Sequence, residues 1–246
     1  MSTPKQRLDL LLVERGLFSS REKAQRSIMA GLVRSGDRYL AKAGEKLASD
    51  TPLQVQATDR YVGRGGLKLE AALDHFQIDP AGWICLDVGA STGGFTDCLL
   101  QRGAATVHAV DSGHDQLDWK IRSDPRVIVR EKYNARLAIP ADFPASFDLA
   151  VIDVSFISLT LILPAVIPLL SPTGMVVALI KPQFELQKID IGPRGIVRDP
   201  LLHHRAIQRI RTFVESSHQL RWQSHLPSPI TGTTGNQEFL TWLAPA

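Results

Sequence analysis

The 246-residue sequence contains only two cysteines and no long hydrophobic run. Cys85 and Cys98 lie in apolar surroundings without CxxC spacing, which indicates reduced core residues and not a disulfide or a metal site. No apolar stretch approaches the roughly 18 to 20 residues that span a bilayer. The N-terminus, MSTPKQRLDL, has no apolar signal core. We therefore expect a cytoplasmic protein without a membrane partner or a metal ion.

Two common nucleotide-binding motifs are also missing. The chain has no GxxxxGK[ST], the loop that cradles the phosphates of ATP, and no GxGxxG of the kind found in dinucleotide sites. The glycine-rich turn at residues 89–94 has the spacing GxxxGG instead. These absences argue against an ATP-binding or dinucleotide-binding protein.

Charge is distributed unevenly along the chain. Residues 1–68 contain thirteen Lys and Arg against seven Asp and Glu, whereas the remaining residues contain fifteen against eighteen. A basic N-terminal quarter beside a mildly acidic body indicates that this quarter docks on a polyanion. The alternative is an ordinary solvated basic face.

Short elements are predicted for the N-terminal part. A helix begins near Leu8 and stops at Gly16, and Ser19 or Ser20 can cap a second helix that ends before Gly31. Strand-like pieces follow at residues 32–34, 38–40 and 52–57. A unit this small buries little apolar surface, so we expect it to lean on a partner surface.

From about residue 67 the pattern alternates between helices and apolar strands. Five strand candidates read WICLDV, ATVHAV, RVIVR, FDLAVID and MVVALI. Helices are predicted at residues 67–76, 94–102, 159–170 and 201–217, and two closing strands at residues 220–225 and 238–243. Near-continuous apolar strands separated by helices predict an α/β fold, a parallel sheet covered on both faces.

The segment LDVGASTGGFTDCLL runs from an apolar strand through the glycine turn into a helix. Ligands of open α/β sheets bind at the carboxyl ends of such strands. Asp111 ends the next strand about twenty residues later, where an acid can accept hydrogen bonds from ribose hydroxyls. Asp87 can face a cationic amino-acid group, and a nucleoside with such a group is S-adenosylmethionine. The alternative is that both acids merely cap turns.

Four charged residues interrupt or adjoin apolar elements. Asp153 and Lys181 follow strand candidates, Lys68 lies at the start of a predicted helix, and Glu238 opens the last strand candidate. A sugar hydroxyl is a poor nucleophile until its proton is removed, and a lysine destabilised by burial or by a neighbouring cation can act as the base. Taken alone, Lys181 is equally well explained as an ordinary solvated lysine at the end of a strand. Its interpretation as a base depends on its partner, Asp153.

The sequence resembles the TlyA family of rRNA 2′-O-methyltransferases, whose members are also described as haemolysins. The similarity spans nearly the whole chain and includes RLDLLLVERGL, SREKAQRSIMAG, RYVGRGGLKLEAAL, DVGASTGGFTDCLLQRGA, AVDSGHDQLDWKIRSDPRV, IDVSFISL, IKPQFE, GIVRDP and SPITGTTGNQEFL. Motifs of this length in this order are highly specific.

The resemblance implies an S4-type α+β RNA-binding domain at residues 1–58, a linker at residues 59–66 and an FtsJ-like domain at residues 67–246. The latter is expected to have the Rossmann-like fold of class I methyltransferases, with a seven-stranded, mostly parallel sheet. It implies S-adenosylmethionine as cofactor and the ribose 2′-hydroxyl of a cytidine in rRNA, within ribosomal subunits or ribosomes, as substrate. The substrate is 23S rRNA and in some members also 16S rRNA. A chain that ends at Ala246 lacks the extension of dual-substrate members, which favours 23S rRNA alone.

The resemblance also assigns roles to residues. The family's catalytic set corresponds to Lys68, Asp153, Lys181 and Glu238. The expected cofactor-binding residues are Asp87, Gly89, Ala90, Ser91, Gly93, Gly94, Phe95, Asp111 and Asp153. The residues expected to contact RNA are Arg7, Arg15, Arg21, Lys23 and Arg64. Ser155 and Phe156 are expected to help position the target nucleotide, although a Phe at a strand end more often packs against its neighbours.

Two other classes of function remain open at this stage. The haemolysin description suggests a membrane-lytic protein, which the missing export signal and membrane span argue against. A non-catalytic RNA-binding or ribosome-assembly factor is the third hypothesis, and the complete Lys-Asp-Lys-Glu set argues against it.

Overall fold

The computed structural model describes residues 5–29, 31–55, 60–217 and 219–246. The chain separates into two units, Met1–Asp59 and Arg60–Ala246. Residues 56–59 lie outside the described residues, and with them the end of the strand expected at 52–57 and the start of the linker expected at 59–66.

The N-terminal unit is built on two short helices, α1 (Leu8–Glu14) and α2 (Arg21–Met29). Ser20 caps α2, as predicted, by accepting a hydrogen bond from Lys23 N at 3.3 Å. The core of the unit consists of six buried apolar side chains, those of Leu8, Leu12, Ala24, Ile28, Val33 and Leu40. So small a core stabilises the unit only modestly.

Five short strands complete the described part of this unit. A three-stranded sheet has the order β3-β2-β5, and its strands are β2 (Val33–Ser35), β3 (Arg38–Tyr39) and β5 (Gln54–Val55). A separate antiparallel pair joins β1 (Lys5–Arg7) to β4 (Lys46–Ala48). The sequence did not predict this pair, because β1 (KQR) is polar throughout and β4 (KLA) is too short to show an alternating pattern.

The larger unit contains a seven-stranded sheet. Its strands are β6 (Ile84–Val88), β7 (Thr106–Val110), β8 (Val127–Arg130), β9 (Phe147–Ile152), β10 (Leu170–Ile180), β11 (Leu220–Pro227) and β12 (Phe239–Pro245). The order is β11-β12-β10-β9-β6-β7-β8, and β12 runs antiparallel to both of its neighbours. The predicted α/β class with a mostly parallel sheet is therefore confirmed.

Helices cover both faces of this sheet. They are α3 (Gly65–Phe76), α4 (Gly94–Gln101), α5 (Trp119–Arg122), α6 (Leu159–Val166), α7 (Pro182–Glu185) and α8 (Pro200–Ser217). One core contains side chains of α3 and α4 with both free cysteines, and the other contains side chains of α6 and α8. Alternate residues of each strand enter the two cores, as the pleat of a sheet requires. Within the described residues, every helix is too short or too polar to cross a bilayer.

Two predicted boundaries differ from the structure. The helix expected at residues 159–170 ends at Val166, and a 3₁₀ turn (Ile167–Leu169) leads into β10 at Leu170. Pro168 explains the change, because it lacks an N–H and so cannot donate the next hydrogen bond of the α-helix. Helix α3 begins at Gly65, two residues earlier than the sequence pattern indicated.

Candidate active site

The carboxyl edge of the sheet brings distant residues together. Parallel pairing aligns Val88 with Ile152, so the turn after β6 lies beside the turn after β9. Antiparallel pairing joins Ile180 to Phe239, so the adjacent residues Lys181 and Glu238 lie at this same edge. Sheet register, rather than sequence distance, therefore determines which side chains meet here.

The four residues of the predicted catalytic set come together at this edge. Lys181 Nζ lies 2.6 Å from Asp153 Oδ1, and Lys68 Nζ lies 2.6 Å from Glu238 Oε2 and 3.9 Å from Asp153 Oδ2. The two lysines and Glu238 are buried, and the Asp153 side chain is 20% exposed. Asp153 thus lies between the amino groups of two lysines, and the four side chains form one cluster of two basic and two acidic groups.

The glycine turn after β6 adopts backbone conformations that only glycine readily tolerates. Gly89 has φ +87°, and a Cβ there would lie 2.5 Å from the main-chain oxygen of Asp153. Gly93 has φ +96°, and its Cβ would meet Leu117 and Ile121. At these two glycines the turn therefore packs closely against the main chain of Asp153 and the side chains of Leu117 and Ile121.

Asp111 fixes the shape of this turn. Its Oδ2 accepts a hydrogen bond from Ser91 N at 2.8 Å, and its Oδ1 accepts one from Gly113 N at 2.7 Å. Each carboxylate oxygen can accept a further bond, so these contacts orient Asp111 without exhausting it.

Asp87 is completely buried behind the turn. Its Oδ2 accepts a hydrogen bond from Thr96 Oγ1 at 2.6 Å, and its Oδ1 has no hydrogen-bond partner among the residues that the structure describes. Burial raises the pKa of Asp87 to about 7, and the carboxylates of Asp153 and Asp111 add to the shift, whereas the bond from Thr96 opposes it. An unsatisfied buried carboxylate oxygen is costly and indicates that a positive group belongs nearby.

Two adjoining cavities open at the edge of the sheet. The first, of about 460 Å³, is lined by the Lys-Asp-Lys-Glu cluster and by Gly89, Ala90, Ser91, Gly94 and Phe95. The second, of about 430 Å³, is lined by Asp111, Tyr133, Asn134 and Phe156 among others. Gly89, Ser91, Asp153 and Ser155 line both cavities. Of the predicted cofactor-binding residues, Asp87 and Gly93 line neither of these cavities. Asp87 lies behind the turn, and Gly93, within the turn, faces Leu117 and Ile121.

A buried acid that the sequence analysis passed over holds one wall of the first cavity. Val62, Gly63, Arg64 and Gly65 line this wall. Asp97, in the first turn of α4, accepts hydrogen bonds from Val62 N at 2.9 Å, Gln101 Nε2 at 3.0 Å and Lys120 Nζ at 3.1 Å. Gln101 also donates to Arg60 O at 2.9 Å. The signal in the sequence was a charge inside the otherwise uncharged helix GFTDCLLQ.

A second overlooked acid joins the turns that follow β9 and β10. Glu185 is 1% exposed, and it accepts hydrogen bonds from Ser158 Oγ at 2.5 Å and from Leu159 N at 2.8 Å. Burial raises its pKa. Between these anchors, Lys181 Nζ donates to Ser155 Oγ at 2.9 Å. Glu185 therefore holds the segment after Asp153 against the segment after Lys181.

Phe156 does not pack into the core. It is 91% exposed, has φ +65°, and lies with its ring 5.2 Å from that of Phe184. An exposed aromatic residue with a left-handed backbone is unusual and indicates a surface shaped for a ligand.

The predicted RNA-contacting residues have different surroundings. Arg7 and Arg21 both bond to the buried Asp9, whereas Arg15 donates to the main-chain oxygens of Ser49 and Thr51. Lys23 Nζ donates to Ser19 Oγ at 3.0 Å. Arg64 lines the first cavity and donates to Thr231 O at 3.4 Å. Their role in RNA binding stays a prediction.

Comparison with known proteins identifies the family. The sequence model of the FtsJ-like methyltransferases matches residues 61–244. The chain belongs to the FtsJ-like methyltransferase family. The S4 domain model matches residues 6–47 of this FtsJ-like methyltransferase.

Relatives of this FtsJ-like methyltransferase match it over nearly its whole length. The rRNA methyltransferase candidate YqxC of Bacillus subtilis is 51% identical over 99% of this chain and 87% of its own. The 16S/23S rRNA (cytidine-2′-O)-methyltransferase TlyA of Mycobacterium tuberculosis is 44% identical over 96% of this chain and 89% of its own. A solved structure of a candidate hemolysin from Streptococcus thermophilus has a TM-score of 0.75 and 46% identity, covering 99% of this chain and 90% of that one.

Proposed function

We propose that this methyltransferase transfers a methyl group from S-adenosylmethionine to the 2′-hydroxyl of a cytidine in 23S rRNA. The observation that supports the proposal most directly is the contact of one carboxylate, Asp153, with two buried lysines where the two cavities adjoin. This arrangement offers a base for a hydroxyl and room for a nucleoside cofactor beside it.

The residues present fit S-adenosylmethionine. The second cavity and Asp111 suit its ribose and base. The glycine turn would allow its sulfonium and amino-acid part to approach the main chain closely. Asp87 lines neither cavity, so its carboxylate would act on a cationic amino-acid group only through its charge, across the turn in front of it. When bound, this cofactor supplies a methyl group on a positively charged sulfur.

The chain's own residues handle the proton of the sugar hydroxyl. Lys181, as the free amine, would accept that proton on Nζ while the hydroxyl oxygen takes the methyl group and the methyl–sulfur bond breaks, which would leave a neutral thioether. The resulting ammonium keeps its contact of 2.6 Å with Asp153 Oδ1 and its bond to Ser155. The Lys68–Glu238 pair then orients the hydroxyl from the other side of Asp153.

Two further features support an RNA substrate. Phe156 presents an exposed ring at the rim of the second cavity, where a nucleobase displaced from its stack can pack. The match to the S4 domain and the rRNA specificity in the name of the TlyA relative point to structured rRNA.

The test uses ribosomal subunits from a strain that lacks the gene, with radiolabelled S-adenosylmethionine. Wild-type protein should label large-subunit rRNA, and Lys181→Ala should lower the rate by about 10²-fold or more while RNA binding stays within twofold. Lys188→Ala, an exposed lysine beyond the site, is the matched control and should keep full activity. Full activity of Lys181→Ala would remove Lys181 from the mechanism.

Mapping of 2′-O-methyl groups tests the substrate itself. A cytidine in 23S rRNA should gain the methyl group only when the gene is present. Methylation of a base, or of protein alone, would refute the proposal. Release of dye from liposomes by the purified protein would favour the membrane-lytic alternative instead.

A further inference from the structure

One buried carboxylate in the N-terminal unit organises two arginines. Asp9 is completely buried, and both its oxygens bond to Arg7, Nε to Oδ1 at 3.1 Å and Nη2 to Oδ2 at 3.0 Å. Arg21 Nε and Gln25 Nε2 donate to Oδ2 at 2.8 Å and 2.7 Å. These bonds lower the pKa of Asp9, with that from Arg7 contributing most, so the carboxylate is charged at neutral pH.

The two arginines remain largely in water although their partner is buried. The Arg7 side chain is 40% exposed and that of Arg21 is 51% exposed. Among the described residues, Arg7 Nη1 and both Nη atoms of Arg21 have no hydrogen-bond acceptor. The inner edge of each guanidinium is therefore fixed by Asp9, whereas outer N–H groups remain free.

Such an arrangement reduces the entropy cost of binding an anion. Two guanidinium groups repel each other and sample many rotamers unless a carboxylate holds them together. The free N–H groups of an arginine match the oxygens of a phosphate, and fixing them in advance strengthens binding. One acid against two arginines leaves a net charge of +1 at this point, which still attracts a polyanion.

We infer that Asp9 is a positioning residue that holds Arg7 and Arg21 as a preformed pair for backbone phosphates of RNA. This inference rests on the proposed function, because it assumes an RNA substrate. Asp9 does not touch the RNA. It acts through the two arginines.

The direction in which one substitution changes RNA affinity distinguishes a positioning role of Asp9 from a simple effect of its charge. Asp9→Asn removes a negative charge from a basic unit, so electrostatics alone predicts tighter RNA binding. If Asp9 positions the two arginines, its loss should weaken RNA binding instead. We expect five- to twentyfold weaker binding to labelled 23S rRNA at about 0.1 M salt, with the slope of log K against log salt smaller by about one. RNA affinity is measured by fluorescence anisotropy with the full-length protein over a series of salt concentrations.

Glu14→Gln is the matched control, because it removes the same charge from an exposed residue of α1. It should leave binding unchanged or slightly tighter. In an Arg7→Ala, Arg21→Ala background, Asp9→Asn should cause no further loss. Unchanged or tighter binding by a folded Asp9→Asn variant would overturn the inference, and absence of RNA binding by the wild type would overturn the proposed function with it.

A second variant decides the matter if Asp9→Asn does not fold, as thermal unfolding would show. A Cβ on Gly44 would lie 3.2 Å from Arg7 Nη1, so Gly44→Ala shifts this guanidinium by a few tenths of an ångström without changing any charge. RNA binding two- to fivefold weaker would support the inference, and unchanged binding would refute it.

Discussion

Lys68 donates a hydrogen bond of 2.6 Å to Glu238, a residue 170 positions further along the chain. Both side chains are buried, and the same lysine lies 3.9 Å from Asp153. Breaking such a buried pair leaves one charge uncompensated, which commonly costs about 3–5 kcal/mol. The pair therefore links the stability of the domain to the geometry of its candidate active site.

We predict that Glu238→Gln lowers both stability and methylation. Lys68 would lose its nearer carboxylate partner and keep only Asp153 at 3.9 Å. The free energy of unfolding should therefore fall by about 3 kcal/mol, the lower end of the range for a broken buried pair, and kcat by roughly 10²-fold. Denaturant unfolding and methylation assays measure the two effects. The double variant Lys68→Met, Glu238→Leu should regain stability and stay inactive. Recovery of activity in that variant would show that the pair is structural only.

We predict an unusual pH dependence of stability from Asp87. Its folded pKa is raised to about 7, from an ordinary value of about 3.9. The folded protein therefore holds a proton that the unfolded chain has lost between those values, so the contribution of Asp87 to stability decreases as pH rises from 4 to 7 and is constant above about 8. The total change is on the order of 4 kcal/mol.

Comparison with Asp87→Asn isolates this effect. Acids with lowered pKa, such as Asp9 beside Arg7 and Asp124 beside Arg126, act in the opposite sense and are common to both proteins. The difference in unfolding free energy, wild type minus variant, should decline between pH 5 and 7, measured without cofactor. A difference that does not vary with pH would contradict the raised pKa.

We predict that Asp97 is needed for cofactor affinity more than for catalysis. Asp97→Ala removes the acceptor of Val62 N and the partner of Lys120, so the cavity wall at Val62–Gly65 loses its anchor on α4. Titration calorimetry should show about tenfold weaker S-adenosylmethionine binding, with kcat at saturating cofactor within about threefold. Asp74→Ala is the control. It removes an exposed acid of α3 that pairs with Arg102, and it should leave the affinity for S-adenosylmethionine unchanged. Equal affinity of both variants would exclude this role for Asp97.

The sequence predicted the larger sheet well because its strands are buried on both faces. Segments such as residues 84–88 and 147–152 are nearly continuous apolar runs, and such runs are typical of central parallel strands. It predicted β1, β4 and the end of α6 poorly. Strands of three residues are too short for a distinctive pattern, and the effect of Pro168 inside an apolar run was outweighed by the hydrophobic period.

Candidate site residues were accessible to sequence reasoning where a charge ended an apolar strand, as at Asp153 and Lys181. Asp87, too, could be named, but the sequence did not indicate that it would be buried behind the turn with one oxygen unpaired. Asp9, Asp97 and Glu185 were not identified, because each looks like an ordinary helix acid until its partners are known.

The amino-acid sequence by itself determined the fold class, the glycine turn and the types of side chain at the strand ends, because these depend on local periodicity and on the backbone freedom of glycine. Only the tertiary structure decided which charges are buried and which groups they meet. Burial and pairing depend on contacts between residues such as Lys68 and Glu238 that lie far apart in the chain, and a carboxylate changes its chemistry only when those neighbours replace water.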